Sequence, residues 1–331
     1  MKNDKNQWLD ICKNIQSYPQ IRSFNRFLNY CKNKFYKSGF DINNFKQISI
    51  ETCNLCNLNC IYCPTGMRLK LKDTPKGMLK IESLRDICEI SLKEYRGNIG
   101  LYNWGEPFLN PELQEIVKYL KENTKSTLII NSNFSFSDDT RLKDVLSHLN
   151  RDVIIISCDG FSQETCEKYR KNVDFDKIIH NIKIIIENRP PYTTLMWQYL
   201  KFPWSLNEID DAKKFCENNN IIFYSGTGGI TPDYPMFPTP VTKNPDKMRC
   251  EFFYNTLVIN FDGEVLPCCA YYGPNKYSLG NARKISLEDI FTKYKGKEML
   301  DYLSYKTTGN DNLFCKHCME RNSKELDSWK N

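Results

Sequence analysis

The chain predicts an α/β fold built as a partial (β/α)6 TIM-like barrel, followed by a small β-hairpin plus helix. Three observations predict it. Six apolar, strand-like stretches alternate with helical ones between residues 46 and 224. Several of those stretches are continuously apolar, the pattern of a parallel sheet covered on both faces. The chain has 331 residues, enough for a large domain and a smaller one.

The elements follow in order. Residues 1–45 carry Trp8, Ile11, Ile15, Ile21, Phe24, Phe27, Leu28 and Phe35 at near-helical spacing, with Pro19 between two short helices. They read as a helical N-terminal extension without chemistry of its own. Strands are expected at Lys46–Glu51, Asn98–Trp104, Thr127–Asn131, Asp152–Asp159, Tyr192–Leu200 and Ile221–Tyr224. Helices are expected at Ile81–Tyr95, Pro111–Glu122, Asp138–Leu149, Ser162–Arg170, Asp176–Asn188 and Asn207–Asn219. Pro111 suits a first helical turn, and Ser137 or Asp138 caps the next helix. The barrel spans 46–235. The tail, 236–331, opens with a hairpin turning at Asp262-Gly263, a strong two-residue turn signal.

Composition narrows the function classes. Fifteen cysteines, an odd count, do not suggest a secreted disulfide scaffold. The start is polar and lacks an apolar core, so no signal peptide is expected. No window approaches a membrane span. The expected location is cytoplasmic, with neither membrane nor nucleic acid as partner. A net charge of +6 weakly favours an acidic or phosphorylated partner. Three histidines leave little for ordinary acid–base chemistry.

The chemistry lies in the cysteines. Cys56, Cys60 and Cys63 place three thiols within eight residues. Three thiolates on a four-iron cubane leave one iron open to a small-molecule ligand. Cys53 forms a CxxC with Cys56, so a structural zinc site is the alternative. In the tail, folding the hairpin brings Cys268 back towards Cys250, and Cys315 and Cys318 supply a CxxC. Those four can ligate a further cubane or a closed zinc site.

The Cys56–Cys63 segment resembles the radical S-adenosylmethionine (SAM) superfamily. The resemblance implies two [4Fe–4S] clusters and SAM as cofactors. SAM would bind the open iron and be cleaved to a 5′-deoxyadenosyl radical. It also implies the partial barrel, whose chemistry sits at the C-terminal strand ends. Trp104-Gly105-Glu106-Pro107 resembles the family's Gly-Gly-Glu-Pro motif, with Trp104 replacing the first Gly; its backbone and Glu106 would hold the SAM amino group. Ser132-Asn133 resembles the family's Thr-Asn pair. Ser157-Cys158-Asp159-Gly160 is similar to its Ser-x-Asp-Gly, with Ser157 near the SAM ribose and carboxylate and Asp159 reaching SAM or substrate. Alternation puts Cys158 on the helix side. Arg170 resembles an Arg that pairs with the SAM carboxylate, and Tyr62 the aromatic beside adenine.

Residues 250–318 resemble a SPASM/Twitch-type auxiliary-cluster domain with ligands Cys250, Cys268, Cys315 and Cys318. The tail is similar to that of aminocyclitol dehydrogenases of the butirosin pathway. This implies a carbohydrate-like substrate, net two-electron oxidation through the auxiliary cluster, and a flavodoxin- or ferredoxin-type electron donor. Related chains are sugar epimerases, for which Cys269 would be the hydrogen donor. A maturase of ribosomally made peptides and a zinc or RNA-binding module are the other readings.

Overall fold

The structure, a computed structural model, describes residues 41–61, 63–67, 75–227, 256–266, 269 and 278–293. All of these belong to one compact unit, Asp41–Pro240 with Cys250–Asp301. The helices expected over 1–40 and beyond residue 293 lie outside the described residues, as do Tyr62, Cys250, Cys268, Cys315 and Cys318.

Six parallel strands form the body: β1 (Gln47–Ile50), β2 (Asn98–Gly100), β3 (Thr127–Ser132), β4 (Val153–Ser157), β5 (Thr194–Lys201) and β6 (Ile222–Thr227). Each joins its sequence neighbour, and helices fill the connections. These are α1 (Pro64–Met67), α2 (Ile81–Ile87), α3 (Leu113–Asn123), α4 (Asp139–His148), α5 (Gln163–Tyr169), α6 (Phe175–Asn188) and α7 (Ile209–Asn218). Helix α2 runs on into a π-helical turn over Cys88–Leu92. Asp138, not Ser137, caps α4 by accepting the Arg141 N–H. This is the partial, unclosed barrel that the sequence predicts.

The tail joins the same sheet. Its hairpin forms, with β7 (Thr256–Ile259) and β8 (Glu264–Leu266) turning at Gly263, whose φ is +89°. Strand β7 pairs in parallel with β1, and β9 (Gly280–Asn281) pairs with β8. One nine-stranded sheet results, in the order β6-β5-β4-β3-β2-β1-β7-β8-β9. The physical reason is visible in β7 itself. Leu257, Val258 and Ile259 are all buried, so the strand needs cover on both faces. Helix α8 (Leu287–Lys293) follows, with Leu287 and Ile290 in the core.

Alternation sorts the strand faces. Ile48, Ile50, Ile130, Ile154, Ile156, Leu195 and Trp197 are buried in the core. Trp197 packs against Phe161 and Phe215. Cys158 lies 3.4 Å from Cys166 of α5, thiol to thiol. The alternate positions therefore face the barrel interior.

One buried ion pair ties α3 to β4. The Asp152 carboxylate accepts from Leu128 N, Asn150 N and Lys121 Nζ, and its side chain is 0 % exposed. Asp152→Ala should cost about 3–5 kcal/mol, because it strands a cation and two backbone donors. Lys80→Ala, which breaks a pair on a side chain 60 % exposed, should cost far less, because solvent screens the pair. Urea denaturation of both variants checks the contrast.

Candidate active site

The three thiols sit on a loop after β1 that lacks helix or strand, and neighbouring elements hold its backbone. Asn54 N donates to Gly77 O, and Leu79 N to Thr52 O. From the loop after β2, Glu106 N donates to Leu55 O at 2.8 Å. At α5, Tyr169 O and Lys171 O accept from Ile61 N and Asn59 N. From β3, Asn133 Nδ2 donates to Asn57 Oδ1 at 2.9 Å, and Asn57 Nδ2 donates to Ser135 O at 2.7 Å.

Two glycines set how closely these parts approach. A Cβ on Gly105 would lie 1.9 Å from Cys53 O, and one on Gly66 2.4 Å from Cys60 O. Both contacts are with backbone, so neither position has room for a side chain.

Cys60 is buried, and Cys56 and Cys63 are half-buried. The Cys56 and Cys60 thiols are pushed up to about 12, chiefly by burial, with Glu106 adding at Cys56 and the Cys63 thiol at both. Arg170 counters this at Cys60. Buried thiols become ligands only when a metal's charge stabilises the thiolate. Among the described residues, no three His, Cys, Asp or Glu side chains converge on a point suited to a single metal ion. Cys53 turns to its own backbone, accepting from Leu55 N at 3.2 Å, and does not complete a zinc knuckle. A cubane offers its irons at separate corners, and the donor set Cys56, Cys60 and Cys63 fits one.

The strand-end residues singled out by sequence gather around this loop. Glu106 is buried, and its carboxylate accepts from Ser132 Oγ (2.7 Å), Asn133 N (2.9 Å) and Phe108 N (3.1 Å). Burial raises its pKa against those hydrogen bonds and the field of Arg170. Pro107 opens a 3-10 turn over Pro107–Leu109. Ser157 Oγ donates to Asn131 Oδ1 at 2.6 Å. Both oxygens of Asp159 are engaged, one by Arg170 Nε at 2.7 Å and the other by Leu200 N at 2.8 Å. Arg170 stacks on Tyr169, 5.6 Å from the ring centroid, and its charge reaches Cys60. Asp159 thus stands behind Arg170 and aims it at the thiol loop. Cys269 is half-buried, and its charge reaches the Tyr102 hydroxyl.

Sequence reasoning missed several residues here. Asn131 Nδ2 donates to Gln198 Oε1 at 3.3 Å, extending the Ser157 contact into a polar row across β4, β3 and β5. Gln47 Nε2 donates to Ser49 Oγ and Tyr102 Oη, both at 2.9 Å. Glu51, just after β1, is buried, and burial raises its pKa to about 7. Holding it ionised above that pH costs about 3 kcal/mol. The available signal was a polar residue at every second position of an otherwise apolar strand: Gln47, Ser49 and Glu51 on β1, and Gln198 beside Trp197.

The comparisons agree with this geometry. The radical SAM superfamily model matches residues 50–216, just over half of the chain. A model of an iron–sulfur cluster-binding domain, SPASM, matches residues 250–319. An uncharacterized protein of Methanocaldococcus jannaschii is 26% identical over 177 residues, 53% of this chain and 54% of that protein. The chain thus spans about half the length of that relative. The S-adenosyl-L-methionine-dependent 2-deoxy-scyllo-inosamine dehydrogenase of Niallia circulans is 24% identical over 276 residues, 83% of this chain and 92% of that protein. Among solved structures, Streptococcus suis SuiB bound to S-adenosylmethionine has a TM-score of 0.62 at 15% identity, covering 93% of this chain and 79% of that one. The same protein bound to precursor peptide SuiA has a TM-score of 0.59 at 14% identity, covering 81% and 68%. At those identities the likeness is one of fold. From the match over residues 50–216, and in keeping with the thiol loop and the unclosed parallel barrel, the chain belongs to the radical SAM superfamily, enzymes that use S-adenosylmethionine and [4Fe–4S] clusters.

Proposed function

We propose that this enzyme removes a hydrogen atom from a hydroxyl-bearing carbon of an aminocyclitol- or sugar-like substrate and completes a net two-electron oxidation to a ketone. The observation that carries the reading is the polar interior. Ser157, Asn131 and Gln198 form one hydrogen-bonded row, and Gln47, Ser49 and Tyr102 form a second group. Such side chains match a ring of hydroxyls, because each can exchange a protein partner for a substrate one. The likeness to a 2-deoxy-scyllo-inosamine dehydrogenase, over 83% of this chain, supports the same substrate class.

Bound at the thiol loop, a reduced cluster and SAM supply a 5′-deoxyadenosyl radical able to take hydrogen from an unactivated C–H bond. The chain's residues then have separate tasks. Cys56, Cys60 and Cys63 would hold the cluster, and the family motif gives Tyr62 as the aromatic for the adenine. The backbone at Gly105–Pro107 would receive the SAM amino group, on a loop that Glu106 fixes to Ser132 and Asn133. Arg170 would pair with the SAM carboxylate, with Asp159 orienting the guanidinium. Cys250, Cys268, Cys315 and Cys318 would hold an auxiliary cluster able to take up the second electron. A flavodoxin or ferredoxin in the cytoplasm supplies the first. Among the described residues, no helix is long and apolar enough to cross a membrane.

Arg170→Gln should weaken SAM binding roughly tenfold to a hundredfold, the loss of one charge-assisted hydrogen-bonded contact. Iron content should stay at the wild-type level, since Arg170 is not a ligand. Equilibrium binding of SAM to the reconstituted variant measures this, and unchanged affinity would put the SAM pocket elsewhere.

The reaction outcome is read from product mass with 2-deoxy-scyllo-inosamine as the first probe. Oxidation yields a product lighter by two hydrogens, and its formation should stop when Cys250, Cys268, Cys315 and Cys318 are replaced. A product of unchanged mass that gains one deuterium in heavy water, and that is lost in Cys269→Ala, would mean epimerisation instead.

A further inference from the structure

Four carboxylates are buried among the described residues: Glu51, Glu106, Asp152 and Asp159. Three are well satisfied. Asp152 pairs with Lys121, and Asp159 pairs with Arg170. Glu106 accepts three hydrogen bonds within the field of Arg170. Glu51 differs. Its donors are the Phe261 backbone N–H, Trp104 N at 3.3 Å and Asn103 Nδ2 at 3.4 Å, the last two long. The charge that reaches it from the β7–β8 turn, Asp262, is of its own sign. On its own loop it faces the Cys53 thiol, and the β2 loop offers it only neutral donors.

Its position is as informative as its partners. Glu51 follows β1 on the same face as Ser49, opposite the helix-facing Ile48 and Ile50. It is the last residue on that face before the thiol loop, five positions before Cys56. Burial raises its pKa to about 7, and a base is most effective when its pKa lies near the working pH. A buried, unneutralised carboxylate costs stability, and such groups concentrate at functional sites.

The oxidation proposed above releases a proton that needs an acceptor. Once a hydrogen atom has left the carbinol carbon, C–O becomes C=O when the hydroxyl proton and one electron also leave. The electron passes to an oxidised iron–sulfur cluster. His148 lies at the end of α4, and His180 pairs with Asp139 at an exposed position. We propose that Glu51 is the general base that takes this hydroxyl proton. The assignment rests on the dehydrogenase reading.

The test uses the full chain, reconstituted anaerobically, with SAM and 2-deoxy-scyllo-inosamine deuterated at its carbinol carbons. Glu51→Gln should still move deuterium into 5′-deoxyadenosine and should bind SAM as the wild type does. Its ketone yield should fall a hundredfold or more, within the range for a general base. Glu51→Asp should recover part of that loss. Protonated Glu51 cannot accept a proton, so wild-type ketone formation should rise with pH through about 7. That limb should vanish in Glu51→Gln. Infrared titration gives a readout independent of turnover: a protonated-carboxyl band that disappears as pH rises through about 7, present in the wild type and absent in Glu51→Gln. Wild-type ketone yield in Glu51→Gln, or no such band, overturns the assignment. A wild type that moves deuterium into 5′-deoxyadenosine but makes no ketone, while the band titrates as expected, overturns the dehydrogenase reading and the base with it.

Discussion

A loop without helix or strand can present three thiols in fixed geometry only if other elements hold its backbone. Here the loop's own N–H and C=O groups are bonded to the β2 loop at Glu106 and to α5 at Tyr169 and Lys171, and its Asn57 side chain is bonded to β3 at Asn133 and Ser135. Gly105 lets the β2 loop, and Gly66 lets α1, approach to backbone contact. The rest of the site depends on this arrangement. The residues that clamp the loop belong to the same strand ends that would meet SAM, so holding the cluster and shaping the SAM pocket are one structural task.

Buried charge is the second organising feature. Helix α5 is anchored at its start by Glu208, which accepts from Phe161 N, Ser162 Oγ and Thr165 Oγ1. Its far end delivers Arg170 onto Asp159. A buried pair is costly to break from either side, so the guanidinium stays at a fixed place beside Cys60. Glu51 is treated in the opposite way: among the described residues no cation pairs with it. The contrast between these two buried carboxylates, Asp159 paired with Arg170 and Glu51 raised by burial to about 7, is what the proposed positioning and proton-transfer roles rest on.

Much of this was legible in the sequence. The strand-end motifs at Gly105–Pro107, Ser132-Asn133 and Ser157–Gly160 were readable because each is local, and their spacing matched the alternation of strands and helices. Alternation alone put Cys158 on the helix side, where it meets Cys166. What depended on distant pairing was not legible. Nothing local says that β7 adds to β1 in parallel, because its apolar run suits any doubly covered strand. The Ser157–Asn131–Gln198 row is assembled from three strands, and its members carry no shared motif. Glu51 was read only as the end of a strand, since burial without a cation is a property of the fold and not of the chain.

On the proposed reading, the Cys56–Cys63 loop and the tail hold separate cubanes, and the first cleaves SAM. Iron and acid-labile sulfide should be counted on the anaerobically reconstituted full chain and on a variant carrying Cys56→Ala, Cys60→Ala and Cys63→Ala. The wild type should carry about eight irons and eight sulfides, and the variant about four of each with no SAM cleavage. Tightly bound zinc without labile sulfide, or a variant that keeps its full iron and still cleaves SAM, would contradict it.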